Sequence, residues 1–137
     1  MFGQRESPAF EQALKNFVSS LAGYSLITYF LQLRDRHNGN ILLDKEGHVI
    51  HIDFGFVLSN SPGSVGFEGA PFKLSQEYLD LMGGVDSEAY AYFKSLFLRG
   101  FLSLRKYAEN FELLLRIMFI GNNSQSLFFN VFFFSLF

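Results

Sequence analysis

The sequence contains no cysteine, no tryptophan and only three prolines in 137 residues. Without cysteine there is neither a disulfide framework nor a thiolate metal site, which fits a cytosolic protein. An excess of positive charge is lacking too. Eleven Lys and Arg stand against thirteen Asp and Glu, for a formal net charge of -2, so nothing marks a binder of nucleic acid or acidic lipid, and nucleic acid is not an expected partner. Met1 to Ser7 is polar and has no apolar core, so no signal peptide is expected there. Long apolar runs are also missing. The most apolar stretch, Leu127 to Phe137, has eleven residues, six of them Phe, against the roughly 20 that a membrane-spanning helix needs. No internal repeat is present.

What remains is enough for a packed core. Apolar residues make up 49% of the chain, and the length suggests one domain or a large piece of one. Ser7-Pro8 offers a hydroxyl cap followed by proline at the first helical position. Phe10, Leu14, Phe17, Val18, Leu21, Leu26 and Phe30 then recur at helical spacing, which predicts a mostly buried amphipathic helix over about 8–32. Arg34 to Asn40 holds no apolar residue and must be a loop or turn. Ile41-Leu42-Leu43 and Val49 to Phe54 flank Asp44-Lys45-Glu46-Gly47, which has turn chemistry, so 41–54 reads as a β-hairpin. Ser59 to Gly69, rich in Ser, Gly, Asn and Pro, predicts a mobile loop. Ser75 is placed as the cap of a short helix that stops at Gly83-Gly84. Apolar residues at helical spacing continue from about Ser87 to Phe119, as two helices broken near Asn110, and beyond Gly121 the periodicity fails.

A hairpin folded about 44–47 brings residues near 40 beside residues near 52. Asn40 and Asp53 are therefore expected as neighbours at its open end. There they offer the hard oxygen ligands that Mg²⁺ takes while waters and phosphates fill its other positions. Asp35, five residues before Asn40, reaches the same mouth from the polar loop. Gly55 is expected to free the backbone where the mobile loop begins. A loop aspartate, an asparagine five residues on, and a hairpin ending in Asp53-Phe54-Gly55 stand in the order and spacing of a kinase catalytic arrangement. Each piece alone has a plainer meaning: Asp35-Arg36-His37 as a solvated turn, Asp53-Phe54-Gly55 as a strand end. His48 and His51, three apart on a strand, point to opposite faces and make a poor metal pair. Together the pieces favour phosphoryl transfer, which needs charge neutralised on the phosphates and a positioned hydroxyl more than covalent help from protein.

The loop reads Asp-Arg-His rather than the His-Arg-Asp of ordinary protein kinases, and no Ala-Pro-Glu follows. In both respects it resembles the phosphoinositide 3- and 4-kinase superfamily. Ser20 to Tyr24, Arg34 to Asp44, His51 to Phe56, Gly66 to Glu68, Pro71 to Leu74 and Met82 to Gly84 look like the type III beta phosphatidylinositol 4-kinases, and the resemblance runs from about Ser7 to Ile120. It implies an α+β fold, the mostly helical C-terminal lobe of a two-lobed kinase, with a small hairpin carrying the catalytic and Asp-Phe-Gly segments. It implies that Asp35 lies near the attacking inositol hydroxyl and His37 faces the transferring phosphate, without deciding which takes the proton. Asn40 and Asp53 would hold Mg²⁺ (or Mn²⁺), and Leu42 and Ile52 would form the floor under the adenine of ATP. Phe54, Gly55, Glu68 and Lys73 would belong to the activation loop that presents phosphatidylinositol. The implied setting is cytoplasmic and peripheral on intracellular membranes, the Golgi among them.

Two features depart from that pattern. A kinase needs a phosphate-covering loop and a lysine from an N-terminal lobe. Only 34 residues precede Asp35, and they read as helix, so that lobe and the adenine-gripping hinge are expected to be missing. Residues 1–120 are accordingly expected to be a partial catalytic domain and 121–137 an atypical Phe-rich tail, either a misread or frameshifted stretch or an apolar anchor. The expected activity is a lipid kinase segment making phosphatidylinositol 4-phosphate, inactive in isolation. The alternatives are a non-catalytic product that binds partners or membranes, and a phosphatidylinositol 3-kinase relative.

Overall fold

The computed structural model describes residues 7–57 and 72–118. Four helices, α1 (Pro8–Leu31), α2 (Gln76–Met82), α3 (Glu88–Lys106) and α4 (Ala108–Met118), accompany two short strands, β1 (Ile41–Leu43) and β2 (Val49–His51), with one 3₁₀ turn at Asn38–Asn40. The described residues are thus mostly helical with one small antiparallel sheet, consistent with a fragment of a kinase-like C-terminal lobe. It divides into two compact units at residues 98 and 99.

The first unit is built on α1. The Ser7 hydroxyl accepts from the Phe10 amide at 3.2 Å, and Pro8 occupies the first turn, as a capped helix start requires. The helix ends where Gln32 turns left-handed, with φ 47°. Its inner stripe of Phe17, Val18, Leu21 and Ala22 packs with Val49 of β2, Met82 of α2 and Phe93 of α3. All are at most 4% exposed, and burying a large apolar side chain stabilises a fold by about 1.5–3 kcal/mol. Phe17 meets Tyr78 edge to face, with ring centres 5.6 Å apart.

The hairpin hangs from the same helix. β1 and β2 pair antiparallel with Ile41 opposite His51, Leu42 opposite Ile50 and Leu43 opposite Val49. Its turn is organised by Asp44, whose Oδ1 accepts from the amides of Glu46 at 2.9 Å and His48 at 2.7 Å. Two hydrogen bonds hold the hairpin to α1. The Asn16 amide donates to the Glu46 carbonyl at 2.8 Å, and the Val49 amide donates to the Ser20 hydroxyl at 2.9 Å. Gly47, with φ +92°, lies so close that a Cβ there would stand 2.5 Å from the Ala13 carbonyl oxygen.

The second strand is shorter than the sequence suggests. Pairing stops at His51 rather than Phe54. Asp53 is left-handed, with φ 58°, and the Ile52 and Asp53 carbonyls are taken by the Arg36 side chain instead of a neighbouring strand. The Asp35 to Asn40 loop and the Asp53-Phe54-Gly55 segment therefore flank the sheet rather than lie in it. Ser75 precedes α2 without a capping bond from its side chain; its hydroxyl instead helps hold the Glu77 carboxyl below the usual carboxylate range. Gly83 ends α2 in the left-handed region with φ 93°, and the Gly84 amide returns to the Leu79 carbonyl at 2.8 Å, as an apolar run closed by Gly-Gly predicts. The break between α3 and α4 falls at Tyr107, three residues before Asn110. Asn110 sits in the first turn of α4, where a polar side chain disturbs a helix least.

The second unit contains the end of α3 and all of α4. Leu113, Leu114 and Ile117 are exposed on α4 and Leu115 is buried. Glu112 and Arg116, one turn apart, form an exposed ion pair. Among the described residues no helix is long and apolar enough to cross a membrane. Residues 58–71, with Glu68, and the Phe-rich tail lie outside the described residues.

Candidate active site

The polar loop after α1 folds onto itself. Asp35 adopts a left-handed φ of 60°, a conformation that aspartate tolerates better than most residues. His37 caps the 3₁₀ turn, its Nδ1 accepting from the Gly39 amide at 3.1 Å. A Cβ on Gly39 would come within 3.0 Å of that ring, so glycine lets the imidazole lie flat against the loop. The other ring nitrogen, Nε2, lies 3.8 Å from Asp35 Oδ2. The Asn40 side chain is 7% exposed, and its Nδ2 donates to the Asp35 carbonyl at 2.9 Å and lies 3.1 Å from His37 Nε2. Asp35, His37 and Asn40 thus form one side-chain cluster. Because the Asn40 nitrogen is used inside the loop, Oδ1 is the atom left for a cation.

Asp53 arrives by a different route. The Ile52 amide donates to the Asn40 carbonyl at 2.9 Å, which sets Asp53 one residue beyond the partner of Asn40. The two backbones are neighbours, as the hairpin argument predicts. No hydrogen bond joins the two side chains. The Asp53 carboxylate is exposed and accepts from the Gly55 amide at 3.2 Å. The special backbone geometry belongs to Asp53 and not to Gly55, whose φ is ordinary. Gly55 matters for another reason: a Cβ there would press on Asp53 Oδ1 at 3.3 Å. An exposed carboxylate and an amide oxygen, Asn40 Oδ1, carried on segments joined through the backbone, are donor types that suit a hard divalent cation.

Leu42 and Ile52, the residues expected under adenine, are 49% and 37% exposed. Ile50 was not anticipated. It stands directly opposite Leu42 and is also 37% exposed, so the three make one apolar face turned away from α1. The period-2 alternation of Ile50 and Ile52 was the available signal. His51, on the opposite face, is buried and stacks on Tyr24 with ring centres 4.4 Å apart. Burial, and then the Arg36 charge, push its pKa down to about 4. His48 belongs to the turn, paired with Asp44 at 2.8 Å. Phe54 lies under the Arg36 guanidinium, 5.8 Å from its ring centre. Lys73 is exposed and lines a cavity of about 790 Å³ together with Thr28, His37, Gly39 and His51.

The chain matches the family described as phosphatidylinositol 3- and 4-kinase over residues 2–124. Several relatives match most of the chain at more than half identity. The Arabidopsis thaliana phosphatidylinositol 4-kinase beta 1 is 58% identical over 119 residues, 84% of this chain and 11% of that protein. The Saccharomyces cerevisiae phosphatidylinositol 4-kinase PIK1 is 57% identical over 117 residues, 85% of this chain and 11% of that protein. The Dictyostelium discoideum phosphatidylinositol 4-kinase is 53% identical over 120 residues, 88% of this chain and 10% of that protein. This chain belongs to the phosphatidylinositol 3- and 4-kinase family. It resembles a piece of the catalytic domain of phosphatidylinositol 4-kinases and spans about a tenth of the length of these relatives.

Proposed function

We propose that this chain supplies the catalytic-loop half of a phosphatidylinositol 4-kinase site, which moves the γ-phosphate of ATP to the 4-hydroxyl of phosphatidylinositol at a membrane surface. One observation carries this reading: Asp35, His37 and Asn40 form a single cluster whose backbone is bonded to the segment bearing Asp53. Asn40 Oδ1 and the Asp53 carboxylate would hold Mg²⁺, or Mn²⁺, which neutralises phosphate charge when bound. Leu42, Ile50 and Ile52 offer adenine an apolar floor. Asp35 or His37, 3.8 Å apart, would take the proton of the attacking hydroxyl, and the cavity lined by His37 and Lys73 gives that hydroxyl a way in.

The charge of the following segment supports an unphosphorylated headgroup. Phe56 to Phe72 contains no Lys or Arg, its one charge is Glu68, and the first cation is Lys73. Each ring phosphate would add about -1.5 to -2 charge and call for further cations. Plain phosphatidylinositol, with one phosphodiester, suits a single lysine. The 4-hydroxyl itself rests on the relatives. Among the described residues no loop and lysine are placed to cover a triphosphate, so we propose that residues 1–137 by themselves do not turn over ATP.

The experiment is a graft. Residues 7–118 replace their counterpart in the Arabidopsis phosphatidylinositol 4-kinase beta 1, which is then assayed on a panel of phosphoinositides with the product position determined. Formation of phosphatidylinositol 4-phosphate is expected. Efficient use of phosphatidylinositol 4,5-bisphosphate, or a 3-phosphate product, would overturn the substrate assignment.

A further inference from the structure

We infer that Arg36 is a positioning residue for this site: its buried guanidinium locks the Asp53 segment onto the catalytic loop and so sets where the Asp53 carboxylate stands. The inference rests on the kinase reading above but names a residue outside the predicted ligand and proton-transfer set.

Arg36 is 8% exposed. Its Nε donates to the Arg34 carbonyl at 3.0 Å, Nη1 to the Ile52 carbonyl at 2.8 Å, and Nη2 to the Asp53 carbonyl. The cation also stands over Phe54. A backbone bond from the Arg34 amide to the Phe56 carbonyl, 3.0 Å long, closes the same seam one step further out. One side chain thus bridges a residue just before Asp35 and two successive residues ending at Asp53. Those acids are two of the three non-glycine residues with positive φ among the described residues.

The chemistry argues for a role beyond stability. Buried charges are ordinarily paired with an opposite charge. Among the described residues no carboxylate lies within ion-pair distance of Arg36. Its charge is offset by carbonyl dipoles instead, and it makes the neighbouring His51 harder to protonate. An apolar side chain would fill the space without that desolvation cost, but it could not hold two adjacent carbonyls. Without such a donor Asp53 would be free to relax from its left-handed φ, a conformation that persists only when its surroundings over-determine it. A lysine is no substitute, because a point charge cannot reproduce a planar fork of donors.

The test uses two proteins. In the grafted kinase, Arg36→Lys and Arg36→Ala should raise the half-saturating Mg²⁺ concentration about tenfold, the usual scale for losing a group that orients a metal ligand. KM for lipid should rise by a smaller factor than the Mg²⁺ requirement, because the Arg36 donors are taken up by the Arg34, Ile52 and Asp53 carbonyls although the residue borders the cavity. Methylguanidine at millimolar concentration should restore part of the Arg36→Ala rate and none of the Arg36→Lys rate. In the 137-residue chain itself, Arg36→Lys should speed amide hydrogen exchange at 52–57 and leave α1 unchanged. A loss of activity with an unaltered Mg²⁺ response and a general loss of protection would make Arg36 merely structural and overturn the inference. An inactive wild-type graft would overturn the kinase reading instead. Hydrogen exchange would then decide the clamp alone, and unchanged exchange at 52–57 would refute it.

Discussion

The two acidic segments of the site are built differently. Asp35 to Asn40 is organised by its own side chains: Gly39 orients His37, Asn40 binds the Asp35 carbonyl, and the cluster stands without help from any ligand. Asp53 to Gly55 is held from outside, by Arg36 on its carbonyl, while its carboxylate faces solvent with one amide for company. The first segment is arranged before substrate arrives, as positioned acid–base groups should be. The second presents an uncommitted carboxylate, as a metal ligand should. On the proposed kinase reading, placement of the reacting groups and supply of charge would thus fall to two different stretches of chain.

That contrast predicts graded effects. The largest should come from Asp53→Asn in the grafted kinase, where turnover at limiting Mg²⁺ should fall by at least about a hundredfold and recover in part as Mg²⁺ is raised. Steady-state assays across a Mg²⁺ series check this, and a loss indifferent to Mg²⁺ would erase the distinction between the segments. Gly47→Ala tests the scaffold beneath both. A Cβ there meets the Ala13 carbonyl at 2.5 Å and φ is +92°, so the melting transition of the chain should weaken by about 1–3 kcal/mol. Ser7→Ala removes the cap of α1 and should cost about 1 kcal/mol, leaving the site assays unaffected.

A pH dependence is expected as well. His51 is pushed down to about 4 from an ordinary value of 6.5. Between those values the unfolded chain binds a proton at this position that the folded chain refuses. Stability from this residue is therefore complete above about pH 6.5 and is lost as the pH falls toward 4. Thermal melts of the wild type and His51→Gln across that range should diverge above pH 6 and converge near pH 4. Parallel curves would mean that His51 is not held neutral by the fold.

Much of this was legible in the sequence because local chemistry decided it. Ser7-Pro8 starts α1, Gly83-Gly84 stops α2, and Asp44 to Gly47 turns the hairpin, each through bonds within a few residues. The order Asp35, Asn40, Asp53 pointed to the chemistry for the same reason: the hairpin is short enough that its register follows from its turn. What could not be read depends on groups far apart in the chain. The run of apolar residues through Ile52 looked like continuing strand, but Arg36, sixteen residues earlier, claims the Ile52 carbonyl. Gly55 looked like the residue with special backbone freedom, yet the clamp puts the left-handed turn on Asp53. Ser75 looked like a cap but turns to Glu77.

The division of labour is tested most directly by measuring MgATP affinity and kcat side by side for Asp35→Asn and Asp53→Asn in the grafted kinase. Asp35→Asn should bind nucleotide about as well as wild type while kcat falls by roughly a hundredfold or more, because it acts on the hydroxyl in the transition state. Asp53→Asn should lose nucleotide affinity together with rate. Equal loss of affinity in the two variants would contradict the account.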